Sequence, residues 1–458
     1  MRLSLRYLSI LSLAALALAA RAANPFLPGW EYIPDGEPRV FGDRVYLYGS
    51  HDRAGSKEFC DTILRVWSAP LADLHTWTDH GIIFTTRDVE GRPDDVPWSD
   101  NNLYAPDLIE KDGRYYLFAQ ILGAPCAVAV SDSPAGPFRL VSQIKKPEGS
   151  PADFGGWSQY FDPGVLVDDD GKVYLYWGGG SSHMAQLNPA TMTDILPDTY
   201  QSNILPTTPP FNYQEGPSPR KINGLYHIVF AAGNDLAYAT SASPTGPFAY
   251  RGVIVSHTPD APGGNIHGGL TQLNGQWYVF YHRMTHNTVF SRRACAERVT
   301  ILPDGTIPQV EQTSLGFRTS LDPYQTTPAD IACVLRGGNY VIELDRDTRP
   351  VINNKNGSVI GFRYFDFGQP AALSLTVRVR GGASPTRLKI QATRPGEPPV
   401  EIGELLIDAD TAPSAPWREV TTEVQPVSGR AAILFTFASA PPDTAACDLL
   451  AFRFHSTP

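Results

Sequence analysis

Between residues 42 and 281, short apolar runs of four or five residues recur, each entered through a two-residue polar turn. The turns are Gly42-Asp43, Asp112-Gly113, Asp170-Gly171, Asn223-Gly224 and Asn274-Gly275. They open runs at 45–48, 115–118, 173–177, 226–230 and 277–281. Glycine paired with Asp or Asn ahead of an apolar run predicts a tight β-hairpin, because such turns need backbone conformations that these residues adopt at little cost. The steps from glycine to glycine are 71, 58, 53 and 51 residues. This spacing suits a four-stranded propeller blade with its loops, so the pattern predicts a repeat array. A second repeat runs in phase with the first: Ser133-Pro134-Ala135-Gly136-Pro137-Phe138 returns as Ser243-Pro244-Thr245-Gly246-Pro247-Phe248, 110 residues on. Each copy follows a strand ending in Ser, as equivalent corners of blades two and four should.

The array ends near Asp304-Gly305, and a connector rich in Thr and Pro covers roughly 312–328. Further alternating stretches at 341–344, 359–367, 373–379, 388–392, 432–437 and 449–454 lack the carboxylate–turn repeat and read as a β-sandwich. The expected fold is all-β: a five-bladed β-propeller over 23–320, then a β-sandwich of jelly-roll type over 321–458. Residues 1–22 are set apart. Arg2 and Arg6 precede an apolar run to Ala20, and Ala20-Arg21-Ala22 offers a small-x-small cleavage site, the pattern of a secretion signal. That run is short for a bilayer span, so no membrane anchor is expected. The protein is expected outside the cell, or in the periplasm of a bacterial host.

Composition narrows the partners. The chain is 42% hydrophobic and only 18% charged, with 40 Gly and 41 Pro, as many short strands and turns require. Removal of Arg2, Arg6 and Arg21 leaves 34 basic against 47 acidic residues, and no basic run interrupts the acidic balance. Nucleic acid and anionic membranes are therefore disfavoured as partners, whereas a neutral polysaccharide is indifferent to this charge. The five cysteines form no C-x-x-C pair, which argues against a zinc cluster; Cys333 and Cys447 are candidates for a disulfide in the C-terminal region. Asn356-Gly357-Ser358 is a glycosylation sequon.

Three carboxylates precede the first, third and fourth repeat turns at similar offsets: Asp35, Asp162 and Glu215. Asp35 lies in Tyr32-Ile33-Pro34-Asp35-Gly36-Glu37-Pro38, and Asp-Gly alone reads as ordinary turn chemistry. Asp162 lies in Tyr160-Phe161-Asp162-Pro163-Gly164, where an Asx turn is the alternative. Glu215 lies in Tyr213-Gln214-Glu215-Gly216-Pro217, and Glu has little turn preference. Their shared phase favours a common site, since a propeller gathers the inner strands of its blades about one axis. Glycosidic hydrolysis needs a proton for the leaving oxygen and a carboxylate to activate water or attack carbon, and a third acid can raise the donor's pKa.

The stretch from Asn24-Pro25-Phe26 through Ile33-Pro34-Asp35-Gly36-Glu37-Pro38-Arg39, with Tyr48-Gly49-Ser50-His51-Asp52, Leu103-Tyr104-Ala105-Pro106-Asp107, Phe161-Asp162-Pro163 and Glu215-Gly216-Pro217, resembles glycoside hydrolase family 43. The resemblance covers about 24–320 and implies a five-bladed propeller of inverting glycosidases, with Asp35 as general base, Glu215 as general acid and Asp162 tuning and orienting Glu215. It further implies substrate-binding roles for Tyr104, Arg283 and His267, with a structural calcium near His267 in similar enzymes and no cofactor otherwise required. Trp98 and Trp157, in loops before strands, are candidate pocket walls. In the tail, Gly361-Phe362-Arg363-Tyr364-Phe365-Asp366-Phe367-Gly368 and Asp448-Leu449-Leu450-Ala451-Phe452-Arg453-Phe454 resemble a family 6 carbohydrate-binding module. The reading is a secreted, monomeric exo-glycosidase removing terminal pentosyl units from polysaccharide. α-L-Arabinofuranosidase is preferred; β-xylosidase and galactofuranosidase or galactosidase are alternatives. A sugar-binding propeller that has lost catalysis is the alternative outside enzymology, and it predicts loss of an acid that this chain retains.

Overall fold

The computed structural model describes residues 23–456, except 90, 151–159, 262, 370, 411–414 and 440–441. The expected signal at 1–22 and Trp157 thus lie outside the described residues.

Five antiparallel sheets follow one another along the chain. Blade one holds Glu37–Phe41, Arg44–Gly49, Ile63–Pro70 and Thr78–Thr85; blade two holds Leu103–Lys111, Arg114–Ile121, Ala127–Ser131 and Arg139–Gln143. Blade three holds Gly164–Val167, Val173–Trp177, His183–Leu187 and Gln201–Ser202; blade four holds Glu215–Ile222, Leu225–Ala232, Asp235–Ser241 and Ala249–Ser256. Blade five has three strands, Gly269–Leu273, Gln276–Met284 and Arg292–Val299. The first strand of each blade packs beside the first strands of its two neighbours, and that of blade one also lies against that of blade five, so the ring closes.

The turns that mark the sequence repeat join the first two strands of each blade. Asp112, Asn223 and Asn274 all have φ near +50°, and the glycine after each is also in the left-handed region, as a two-residue hairpin of the I′ type requires. The in-phase corners are equivalent as well. Tyr48 Oη of blade one donates to the Pro134 carbonyl in the corner of blade two at 2.6 Å, and Tyr176 of blade three makes the same 2.6 Å bond to Pro244 in blade four. Blade five is completed from the other end of the ring. Phe26 N–H donates to Ala294 O, while the buried Asn24 side chain donates to the carbonyls of Ala296 and Thr313 and accepts from Ala296 N–H. The segment at the start of the described chain thereby seals the last blade.

Ion pairs across blades fill the axis. Arg39 of blade one grips Asp107 of blade two at 2.6 Å, and that carboxylate also accepts the Val165 N–H of blade three. Arg220 of blade four pairs with Glu37 of blade one at 2.6 Å and donates to the Leu270 carbonyl of blade five. All five inner strands are tied together by groups that satisfy each other's charge, which offsets their loss of water.

The remaining strands form two packed sheets. One joins Val334–Arg336, Val359–Asp366, Arg430–Ser439, Thr386–Thr393 and Val400–Ile407; the other is built around Ala372–Arg380 and Asp448–His455. Phe362, Phe365, Phe367, Phe452 and Phe454, the phenylalanines of the tail motifs, lie between the sheets in edge-to-face and tilted contacts. They are core residues. The expected Cys333–Cys447 bridge does not form: all five cysteines are buried and free, and these two are held apart by separate surroundings, with Cys333 against the Gly361 carbonyl and Cys447 beside Thr386.

Candidate active site

Each blade's last strand returns to the end of the ring where the next blade's first strand begins, so the connecting loops gather on one face. Asp35, Asp162 and Glu215 all stand at that entrance, immediately ahead of or at the start of the first strands of blades one, three and four. They meet in one small pocket of about 140 Å³, lined also by Phe59, Tyr104, Phe161, Gln214, Gly264, Asn265 and Arg292. The volume is well below the usual range for larger ligands and fits a single sugar ring.

Local structure explains how the acids are presented. Asp35 and Asp162 have φ of 57° and 47°, and stand at bends of the chain with their carboxylates lining the pocket. Glu215 and Tyr104 sit just before register shifts in their strands, at Glu215/Ser218 and Tyr104/Asp107. Both bulges contain a proline, Pro217 and Pro106, which cannot donate to the ladder. Gly216 must be glycine: its φ is +68°, and an added Cβ would lie 2.9 Å from the His267 ring.

The three carboxylates have different surroundings. Burial alone would raise Asp35, but Arg292, His282 and His267 outweigh it and hold this carboxyl far below the ordinary carboxylate range. Arg292 Nη1 donates to Asp35 Oδ1 at 2.8 Å and Ser50 Oγ donates to Oδ2 at 2.7 Å. Burial, then Glu215 and Asp35, push Asp162 well above that range. Burial also raises Glu215, with Asp35 adding to it against the opposing pull of His267 and Arg292. Asn265 Nδ2 donates to Glu215 Oε1 at 2.6 Å, while its Oδ1 accepts from Arg292 at 3.0 Å, so one amide links Glu215 to the arginine that binds Asp35. His267 Nδ1 is 3.8 Å from Asp35 and 3.7 Å from Asp162, at the centre of the group. A carboxylate held towards its ionised form and others held towards the protonated form thus face the same space, which is what paired acid and base chemistry needs.

Arg292 is the residue that the sequence did not single out. Its guanidinium is clamped by Asp52, Nε to Oδ2 at 2.8 Å and Nη2 to Oδ1 at 3.0 Å, and it lies 4.8 Å from the centre of the Phe59 ring. Arg283 is not in the pocket. It is buried on the opposite face of its strand, with Nε donating to Cys295 Sγ at 3.1 Å. Strand register gives the reason. His282 and Met284 face the acids, and Met284 pairs with Arg292, whereas Arg283 pairs with Arg293 on the other face. Tyr104 lines the pocket and its ring contacts Phe161 at 6.0 Å between centroids. Trp98 is about one-third exposed and does not line the pocket. Among the described residues no group of three or more His, Cys, Asp or Glu side chains is arranged to hold a metal ion; Asp35 is engaged with Arg292 and Ser50, and Glu215 with Asn265.

Comparison with known proteins agrees with this architecture. Residues 22–307 match the family model for glycosyl hydrolases family 43. A xylosidase/arabinosidase of Thermoclostridium stercorarium is 34% identical over 470 residues, covering 90% of this chain and 95% of that protein. An arabinoxylan arabinofuranohydrolase of Bacillus subtilis is 28% identical, covering 87% of this chain and 86% of that protein. Among solved structures, a β-xylosidase/α-arabinofuranosidase from a compost metagenome aligns over 61% of this chain and 95% of its own, with TM-score 0.51 and 28% identity. The two-domain arrangement has a parallel in a B. subtilis arabinofuranohydrolase structure, aligned over 94% of this chain and 97% of that one with TM-score 0.54 and 23% identity, a likeness of fold. With its acids, its propeller and these relatives in agreement, this chain belongs to family 43 of the glycosyl hydrolases.

Proposed function

We propose that the protein is a secreted, inverting exo-glycosidase that removes terminal pentosyl residues from polysaccharide, with α-L-arabinofuranosidase its main activity. The observation that carries this reading is the meeting of three acids from three blades in one pocket, with Asp35 held ionised and Glu215 and Asp162 held towards the protonated form. Asp35 activates water, Glu215 protonates the leaving oxygen, and Asp162 tunes and orients Glu215, whose proton is retained through burial and the negative charge of Asp35. The small volume of the pocket, sized for one sugar ring, supports action at chain ends. The pentose assignment draws on the relatives, of which the T. stercorarium protein is named for both xylosidase and arabinosidase activity. That double name favours β-xylosidase as the second reading. Export rests on the basic and apolar N-terminal sequence.

The test is hydrolysis of nitrophenyl α-L-arabinofuranoside, β-D-xyloside and β-D-galactofuranoside, followed by arabinoxylan with product identification. The arabinofuranoside should be cleaved fastest, with the β-anomer seen first by NMR, as inversion requires. Glu215→Gln should lose about 10²- to 10⁴-fold on arabinoxylan and less on the nitrophenyl glycoside, whose leaving group needs little protonation. Saturable polysaccharide binding without any hydrolysis would replace this reading with the non-catalytic one.

A further inference from the structure

The face of blade five turned away from the pocket meets the C-terminal sandwich. Arg293 and Tyr32 are almost completely buried there. Arg293 Nη2 donates to Tyr32 Oη at 2.8 Å, and its guanidinium lies 4.6 Å from the centre of the Tyr32 ring. Both donate to one atom, Oε1 of Glu343, which belongs to the sandwich and follows the strand Tyr340–Val341. The other Glu343 oxygen approaches His286 Nε2 at 3.9 Å, and the Val341 N–H donates to the Thr285 carbonyl at 2.7 Å. Glu343 therefore holds two propeller segments at once.

Those two segments carry the site. Arg293 adjoins Arg292, which faces the pocket and binds Asp35. Tyr32 lies three residues before Asp35, and its carbonyl accepts the N–H of Asp52, the residue that clamps Arg292. We propose that Glu343 is a positioning residue: from the sandwich, it fixes the spacing of Asp35 and Arg292 through Tyr32 and Arg293. The inference rests on the catalytic reading of Asp35 given above. It assigns the C-terminal domain a part in the reaction that does not require it to touch sugar. A second interdomain contact, buried Tyr364 Oη to exposed Glu311 at 2.5 Å, lies away from these segments and serves as a control.

The experiment compares full-length Glu343→Ala, Glu343→Gln, Tyr32→Phe and Tyr364→Phe with the parent enzyme. Glu343→Ala should lower kcat by about tenfold to a hundredfold with KM within twofold, since misplacing a reacting group affects the transition state more than binding. Glu343→Gln, which still accepts both hydrogen bonds, should recover part of the loss, and Tyr364→Phe should keep parental kcat. Amide exchange over residues 31–36 and 290–294 should quicken in Glu343→Ala and Tyr32→Phe. This second measurement is independent of turnover, so a failure of the glycosidase reading would leave it able to decide. Unchanged exchange in these segments, or an equal loss of kcat in Tyr364→Phe, would overturn the proposal. If Glu343→Ala does not fold, Glu343→Gln and Tyr32→Phe decide: parental kcat and exchange in both would overturn it.

Discussion

At the scale of single residues, the site is built by giving three like side chains unlike surroundings. Asp35 receives an arginine, a serine and two histidines, whereas Asp162 is buried against the charges of Glu215 and Asp35, and burial and Asp35 outweigh His267, Arg292 and Asn265 at Glu215. The cost appears in stability. The folded pKa of Asp162 lies above its unfolded value, so the proton it holds stabilises the fold at low pH, and this contribution is lost as pH rises through the folded value. Asp162→Asn should therefore raise Tm at pH 7, and the gain should shrink towards zero as pH falls into the ordinary carboxylate range; its activity should fall by about 10²-fold or more. Melting curves at both pH values check the sign. In the parent enzyme, kcat/KM should decline on the alkaline side as the Glu215–Asp162 pair loses its proton. No matching acid decline should come from Asp35, because its carboxyl protonates only far below the usual range.

Among the elements, turns and bulges do most of the aiming. The repeat of glycine with Asp or Asn was legible because these turns need positive φ, and only a few residues take it readily. The bulges behind Tyr104 and Glu215 could be read in Ala105-Pro106 and Gly216-Pro217 once those positions were placed on inner strands. What escaped the sequence was the face presented by residues 282–284. One step along a strand reverses the side chain, so Arg283 and Arg292 cannot be told apart until the pairing register is known. The closure of blade five was equally hidden, since the partner of Arg292–Val299 comes from the start of the ring. Asn24→Ala removes the side chain that satisfies buried groups of Ala296 and Thr313, and it should cost about 3 kcal/mol, read as a lower midpoint in denaturant.

For the molecule as a whole, propeller and sandwich are joined by contacts at several points. Arg363 pairs with Asp260 at 2.6 Å, Leu335 N–H donates to the Asp260 carbonyl, and Ser314 N–H donates to the Arg363 carbonyl, in addition to the contacts of Glu343. Contacts of this kind, buried and partly through main chain, couple the stability of the two parts. Calorimetry should show a single cooperative unfolding transition, and two separated transitions would show that the interface does not couple them.

The order of blades, their turn chemistry, the following sandwich and the identity of the three acids were determined by the sequence alone, because each depends on residues within a few positions of one another. The tertiary structure decided which arginine charges the site, how the protons are divided among the acids, and which sandwich residue braces them. Those outcomes depend on distances between groups as far apart in the chain as Asp35 and Arg292, 257 positions, and on burial that no local pattern specifies.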